Sequence, residues 1–173
     1  MSSIKETEKM LLFSSVIYNP SVSFNKIRKE IIRVFGEIIY ETEELKFEHT
    51  SYYAEEMGHN LVRRFVFFNS AVDPDNVFEY KIKSNKIEEL FVVNKQRRVN
   101  VDPGYATLSK VCLLTTKNFS HRIYLRGGIY AEVTLSYQKK KYRTFEWTYP
   151  DYASDDIKNI FYFVRNKFNE QLR

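Results

Sequence analysis

The sequence predicts an α+β fold: a ferredoxin-like βαββαβ unit with an added helix, an antiparallel β-meander and a C-terminal helix, all in one domain spanning residues 1–173. Three observations predict it. Short β-branched or aromatic runs alternate with stretches of helical spacing, and between residues 10 and 102 their order is strand, helix, strand, strand, helix, strand. A hairpin signal then surrounds Gly127-Gly128, and a long amphipathic stretch closes the chain. With 43% apolar and 16% aromatic residues, 173 residues suffice to bury a core without disulfide or metal staples.

The first strand is Leu11 to Tyr18, an apolar run closed by Asn19-Pro20. Ser21 or Ser23 caps the helix that follows, in which Phe24, Ile27, Ile31, Val34 and Phe35 recur at helical spacing and Gly36 suits a left-handed C-terminus. Glu37 to Tyr53 reads as a long, partly exposed strand ending in an irregular loop at Glu55 to Asn60, and Leu61 to Phe68 as a second strand. Asp73-Pro74 starts another helix, with Asn85 and Glu88 offering a further cap inside it, so one bent helix and two short ones both fit.

Arg97 to Val101 reads as a strand ending at the turn Asp102-Pro103-Gly104. Tyr105, Leu108, Val111, Cys112 and Thr115 then recur at helical spacing, which predicts a helix to about Lys117 with Cys112 as a small buried hydrophobe. Phe119 to Leu125 and Ile129 to Tyr137 form a hairpin through Arg126-Gly127-Gly128, and a strand from Tyr142 to Trp147 follows the turn Lys139-Lys140-Lys141. Ser154 caps the last helix, whose inner face carries Ile157, Ile160, Phe161, Val164 and Phe168 behind Asp155 and Asp156 in the first turn.

Composition excludes several classes of function. Cys112 is the sole cysteine, so one chain holds neither an internal disulfide nor a multi-cysteine metal centre, and a reducing cytoplasmic setting is expected. No stretch has membrane-spanning length, and the mixed charges of Lys5, Glu6, Glu8 and Lys9 do not resemble a signal peptide. The phosphate-binding loop, the dinucleotide glycine fingerprint and the paired-histidine zinc helix are all missing. His49, His59 and His121 are scattered, so no metal site is expected and the cofactor stays open.

The net charge of +5 is unevenly spread. Glu37 to Glu56 carries seven acids against Lys46, a net of −6, whereas Lys95 to Arg143 carries eleven bases against Asp102 and Glu132, a net of +9. A positive face of that kind attracts phosphates or acidic surfaces, although it also serves as a solvated face that limits association.

Three polar blocks are the candidate site. In the first, an alternating strand would place Arg98, Asn100 and Asp102 on one face, and Gly104 would let backbone approach an anion ahead of the free N–H groups of the next helix. Asn100 and Asp102 equally suit a tight turn and a helix cap. The second block sets His121 and Arg122 on one hairpin arm against Glu132 on the other. An even loop pairs His121 with Thr134 and leaves Glu132 diagonal, tuning His121 as acid or base; an odd loop puts Arg122 opposite Glu132 as an ion pair. The third block, Trp147 to Tyr152, offers Tyr149 for stacking and Asp151 near a helix N-terminus, or simply a rigid cover for the core edge.

At these blocks the chain resembles a bacterial family described as domain of unknown function 4416. The segments Arg97 to Tyr105, Ser120 to Leu125 with Gly128 to Leu135, and Trp147 to Tyr152 carry the resemblance, with Ser51-Tyr52-Tyr53 and Asp73-Pro74 falling in order. Arg126 departs from the small turn residue expected there. The resemblance implies membership and no particular activity, cofactor or catalytic residue.

Three functions compete on the residues alone. The first is binding of an anionic ligand, a nucleotide or RNA, with Arg98 and Arg122 on phosphate and tyrosines for stacking. The second is a phosphate-ester hydrolase or transferase with His121 as acid or base and Asp102 or Glu132 as its partner. The third is a protein-interaction component in which the acidic and basic stretches meet complementary surfaces, the oligomeric state being left open.

Overall fold

In a computed structural model the chain is described at residues 3, 7–47, 53–72 and 74–171. The architecture is α+β: one large antiparallel sheet runs through the protein, with helices on both faces. No helix among the described residues is long and apolar enough to cross a membrane.

β1 (Met10–Tyr18) is buried along its whole length, as expected of a strand covered on both faces. It pairs antiparallel with β4 (Val62–Val72) on one side and with β7 (Val99–Ala106) on the other. β4 pairs in turn with β2 (Ile38–Glu41) and β3 (Leu45–Lys46). Beyond β7 come β8 (Lys110–Thr115) and β10 (Ile129–Gln138); the outer edge of β10 carries β9 (Ile123–Arg126) at one end and β11 (Lys141–Thr144) at the other.

Alternation along β1 divides the core. Leu12 and Val16 face α1 (Phe24–Phe35) and α3 (Phe78–Glu89), whose Ile27, Ile31, Phe35 and Ile87 are buried against them. Leu11 and Phe13 face α4 (Asp155–Gln171), where Phe161 meets Phe13, Phe65 and Phe67 edge-on at 4.9 to 5.7 Å between ring centroids. Each such side chain stabilises the fold by about 1.5–3 kcal/mol through burial. Ser154 caps α4 as its sequence predicts, its Oγ accepting the Ile157 N–H at 3.3 Å. Ser23 flanks α1 without a side-chain bond; Asn19 Oδ1 instead accepts the Ser21 N–H at 3.0 Å.

Several expected elements are corrected. The long strand from Glu37 is two short ones: between them the Thr42 N–H still donates to the Phe65 carbonyl at 3.0 Å, but the Thr42 Oγ1 takes the place of a backbone acceptor for the Phe65 N–H at 3.0 Å, and Glu44 accepts the Tyr18 hydroxyl at 2.7 Å. Positions 48–52 of that expected strand lie outside the described residues. The loop expected from Glu55 follows a one-turn helix, α2 (Ala54–Met57), and β4 runs four residues beyond Phe68. Asp73 lies outside the described residues; Pro74–Asn76 form a 3-10 turn that leads into α3, which is one continuous helix with no internal cap at Asn85.

The largest correction is at Asp102-Pro103-Gly104, which is neither a turn nor the start of a helix. β7 passes straight through it, and the helix expected from Tyr105 to Lys117 is instead the end of β7, a turn at Thr107 to Ser109, and β8, where Cys112 is buried. Pro103 is tolerated because the Val101 N–H and C=O point to the edge that β8 leaves unpaired, and Pro103, two residues on, turns its missing N–H the same way. Gly104 is required because a Cβ there would lie 2.5 Å from Phe13 Cζ and clash with the Cys112 carbonyl.

β5 (Val92–Val93) and β6 (Gln96–Arg97) form a separate small hairpin. The hairpin of β9 and β10 turns on two residues, Gly127 and Gly128, with φ of 59° and 79°, so Arg126 belongs to the strand. Lys139 and Lys140, at φ of 49° and 61°, make the matching turn into β11, which ends at Thr144, short of the expected Trp147.

Candidate functional site

Cross-strand register puts most of the candidate residues on one face of the sheet. Asn100 pairs with Ile17 and Asp102 with Ser15, and the same two β1 residues pair with Arg63 and Phe65 of β4. On the other side Gly104 pairs with Leu113, and Leu113 with Glu132. Arg63, Asn100, Asp102 and Glu132 therefore all project toward the α4 side. The segment from Phe145 to Ser154 crosses this face as a strap. It bonds β10 at one end through Trp147 and Thr148, and β4 at the other through an ion pair of Asp151 with Arg63.

At the β7 end, the unpaired edge is closed by side chains of α3. Glu88 Oε1 accepts the Val101 N–H at 2.8 Å, and Lys81 Nζ donates to Asp102 Oδ1 at 2.9 Å. Asn100 donates to the other Asp102 oxygen at 2.6 Å, and Arg97 reaches Glu88 at 2.5 Å, Asn100 Oδ1 at 2.9 Å and Glu56 at 2.9 Å. Withdrawal from water opposes the charge on Asp102, but the Lys81 ammonium, hydrogen bonds from Lys81 and Asn100, and the more distant Arg63 outweigh it and hold this carboxyl below its ordinary range. Burial dominates at Glu88 and pushes its carboxyl up despite Lys81 and Arg97. Two neighbouring carboxyls thus differ in proton affinity, a pattern common at functional sites and found also in structural ion networks.

At the β10 end, β9 pairs with residues 129–131 and β11 with residues 135–138, which leaves a notch at 132–134. Trp147 Nε1 fills it by donating to the Val133 carbonyl at 2.9 Å, and Thr148 Oγ1 donates to the Thr134 carbonyl at 2.7 Å. Above the notch four flat groups stack: Phe145 on Trp147 at 4.9 Å and 5°, Trp147 on His121 at 5.0 Å and 10°, and His121 on Phe119 at 6.1 Å and 12°.

The hairpin loop is even, yet a bulge at Leu125 of β9 shifts the ladder so that Tyr124 faces Tyr130 and Ile123 faces Ala131. Continued one step, that register sets Arg122 against Glu132, and the Nε–Oε2 distance is 2.6 Å. His121 Nε2 reaches the same oxygen at 3.2 Å, so Glu132 serves both expected partners at once. The Glu132 side chain is 1% exposed, and its Oε1 has no hydrogen-bond partner among the described residues. Arg122 also donates to the Lys117 carbonyl at 3.0 Å and to the Tyr149 hydroxyl at 3.1 Å.

The candidates thus sort into three sets. Asn100 and Asp102 belong to the Lys81 network, while His121, Arg122, Glu132 and Tyr149 form the notch cluster. Asp151 anchors the strap, and Arg97 lies over the Tyr53 ring at 6.0 Å. Arg98 departs from the set, bonding the Met57 carbonyl at 3.4 Å and Gln96 at 3.0 Å, and Gly104 is packed under Phe13, with no helix N-terminus beside it. The acidic stretch is partly absorbed within the fold, Glu41 by Arg28 and Arg64, Glu44 by Tyr18 and Glu56 by Arg97.

Sequence reasoning missed Arg63, Lys81 and Glu88. A signal existed: Lys81, Ser84 and Glu88 occupy the buried stripe of α3, where apolar residues are the norm, and Arg63 alternates inward with Phe65 and Phe67. Among the described residues no group of histidine, cysteine, aspartate and glutamate is arranged to hold a metal ion.

Comparison with curated proteins and with solved structures finds no match. A family model, Domain of unknown function (DUF4416), matches residues 8–168, nearly the whole chain. The chain belongs to that family.

Proposed function

We propose that the chain binds a phosphorylated ligand, a nucleotide or RNA, on the aromatic and basic surface around the β10 notch. The observation that carries this reading is the stack of Phe145, Trp147, His121 and Phe119, with Phe119 and Tyr149 half-exposed against the guanidinium of Arg122 and Tyr124 half-exposed on the same hairpin arm. Large aromatics left at a surface suit base stacking, worth about 1–3 kcal/mol per stacked base, while Arg122, 4% exposed and paired with Glu132, holds Phe119 and Tyr149 in place from beneath. Arg122 lies over the Phe119 ring at 4.7 Å, whereas Arg126 at the hairpin tip lies over Phe78 of α3 at 5.6 Å and takes no part in this surface.

Trp147 is the sole tryptophan and therefore a direct reporter. Titration with nucleoside monophosphates and a short single-stranded RNA at low salt should quench its emission, with an affinity that falls as salt rises. Tyr149→Ala and Tyr124→Ala should each weaken binding about tenfold, in line with the loss of one stacked base. Unchanged Trp147 emission together with unchanged RNA polarisation across the titration removes the reading.

A second reading, acid–base chemistry on a phosphate ester, is favoured by the 3.2 Å approach of His121 Nε2 to Glu132. Glu132 then orients His121 and Arg122 stabilises negative charge, whereas Asp102 is engaged by Lys81 and Asn100. Release of inorganic phosphate from a panel of phosphate monoesters, abolished in His121→Asn, is the expected result; turnover equal to wild type in that variant sinks it.

The fold suits either reading. The neighbour order β7-β1-β4-β2, each pair antiparallel, with α1 and α3 packed on one face, supports taking this part as a ferredoxin-like unit to which β8 to β11 and α4 are added. The single buried Cys112 fits a reducing, cytoplasmic setting.

A further inference from the structure

The chain that joins α3 to β7 projects from the rest of the molecule. From Glu89 to Gln96 every residue except Phe91 is exposed, and among them are three aliphatic side chains, Leu90 at 64%, Val92 at 47% and Val93 at 49%. The segment is firmly held. β5 pairs with β6, Phe91 packs against the core, the Arg98 N–H donates to the Phe91 carbonyl at 3.2 Å, and Arg97 is paired with Glu88 and Glu56. A fixed hairpin thus presents apolar side chains where a solvated one would carry polar groups.

Lysines surround these side chains. A shallow depression beside Leu90 is lined by Lys26, Lys29 and Glu30 of α1 together with Phe91. Lys86 lies one turn before Leu90 on the same face of α3, and Lys95 stands in the hairpin turn itself. Both turn residues, Asn94 and Lys95, have positive φ, 51° and 64°; glycine is the usual occupant of the second place, so a charge is kept at the tip against local preference. Of the neighbouring acids Glu30 and Glu89, Glu30 is taken up by Arg33 at 2.9 Å.

We propose that this hairpin makes a peripheral contact with an anionic lipid surface: Leu90, Val92 and Val93 enter the interface while Lys26, Lys29, Lys86 and Lys95 meet the headgroup phosphates. Successive residues of a strand point to opposite sides, so Val92 and Val93 cannot both lie against one flat, rigid partner. A fluid interface closes around both sides of a projecting tip. The aliphatic residues supply the apolar part of the attraction and the lysines the electrostatic part, and attachment without a spanning helix takes both kinds. Lysine stems lie along the apolar tip while their ammonium groups stay at headgroup level. The inference does not rest on the nucleotide reading, because none of these residues belongs to the notch cluster.

The test is flotation of the full chain with vesicles of phosphatidylcholine alone and of phosphatidylcholine mixed with phosphatidylserine. Each lysine near such a surface gives about a fivefold gain, so the mixed vesicles should bind at least about tenfold more tightly than the neutral ones, and less as salt rises. Lys26→Gln combined with Lys29→Gln should weaken binding about twentyfold, and Leu90→Ser combined with Val93→Thr about tenfold, with the thermal midpoint unchanged because all four side chains are exposed. A dye sensitive to its surroundings, attached at Val93→Cys, should shift to the blue on the mixed vesicles while Trp147 emission stays unmoved; Cys112, 2% exposed, does not compete for the label. No binding to the mixed vesicles, equal binding to both kinds, or unchanged binding in both double variants overturns the proposal. So does a shift of Trp147 with the dye unmoved, which would bring the vesicle to the notch instead. Polyglutamate that binds the wild type where vesicles do not would assign the face to an acidic protein and overturn it as well.

Discussion

Lys81 of α3 reaches past the unpaired edge of β7 to Asp102, with Nζ 2.9 Å from Oδ1, and its side chain is only 8% exposed. An ammonium so far from water persists because two carboxyls and a carbonyl receive it, Glu88 at 4.0 Å and the Val101 carbonyl at 3.4 Å completing the set. Lys81→Met should therefore lower stability by about 3 kcal/mol, since it strands partly buried carboxyls. In urea denaturation, Lys81→Met combined with Asp102→Asn should cost less than the two single changes added together. Strict additivity would show that the pair is not coupled.

Asp102 and Glu88 give opposite pH dependence. Asp102, held below its ordinary value of 3.8, contributes stability that is complete above that value and is lost as pH falls through its lower folded value. Glu88 lies above its ordinary 4.5, so the folded state binds its proton more tightly; stability falls as pH rises from 4.5 through the folded value. Stability measured from pH 2 to 8 should show wild type losing ground to Asp102→Asn toward the acid end, and to Glu88→Gln as pH rises above 4.5. The reverse slope in either comparison contradicts the network.

Gly104 tests the packing of the same strand. Its added Cβ would meet Phe13 Cζ at 2.5 Å and the backbone carbonyl of Cys112, which cannot swing away. Gly104→Ala should cost about 2 kcal/mol or more, at the upper range of overpacking, and lower the thermal midpoint accordingly. A midpoint within a degree of wild type would mean that β7 and β8 separate more easily than their register implies.

Glu132 supports the notch. Glu132→Ala leaves the Arg122 guanidinium, whose side chain is 4% exposed, without its carboxylate, at an expected cost of about 3 kcal/mol. It also frees His121 from the oxygen that fixes its ring, so Trp147 emission should shift to the red as the stack loosens. Glu132→Gln, which keeps an acceptor, should show a smaller change in both measurements.

Sequence carried the elements whose signal is local. The apolar run of β1, the Ser154 cap and inner stripe of α4, and the paired glycines at 127 and 128 each determine structure within a few residues, and each stands where it was expected. It misled where a local signal had a distant cause. Pro103 and Gly104 look like turn residues, but an open edge accommodates one and the Phe13 ring requires the other. The apolar spacing from Tyr105 to Thr115 fits a helix as well as two strands, and pairing with β1 and β10 decides between them. The face shared by Asn100, Asp102 and Glu132 could be drawn only in part, because a bulge at Leu125 sets which hairpin residue meets Glu132. Lys81 and Arg63 escaped because a charged residue on an inner stripe is read as exposed until its partner is known.

The division of β10's outer edge between two short strands has a consequence for encounters with other chains. An open edge of ten residues would template a foreign strand, the first step of edge-to-edge aggregation. Here β9 and β11 take the two ends, and the middle acceptors at Val133 and Thr134 are already bonded by Trp147 and Thr148. An incoming strand would have to displace the strap before gaining its first bond on β10.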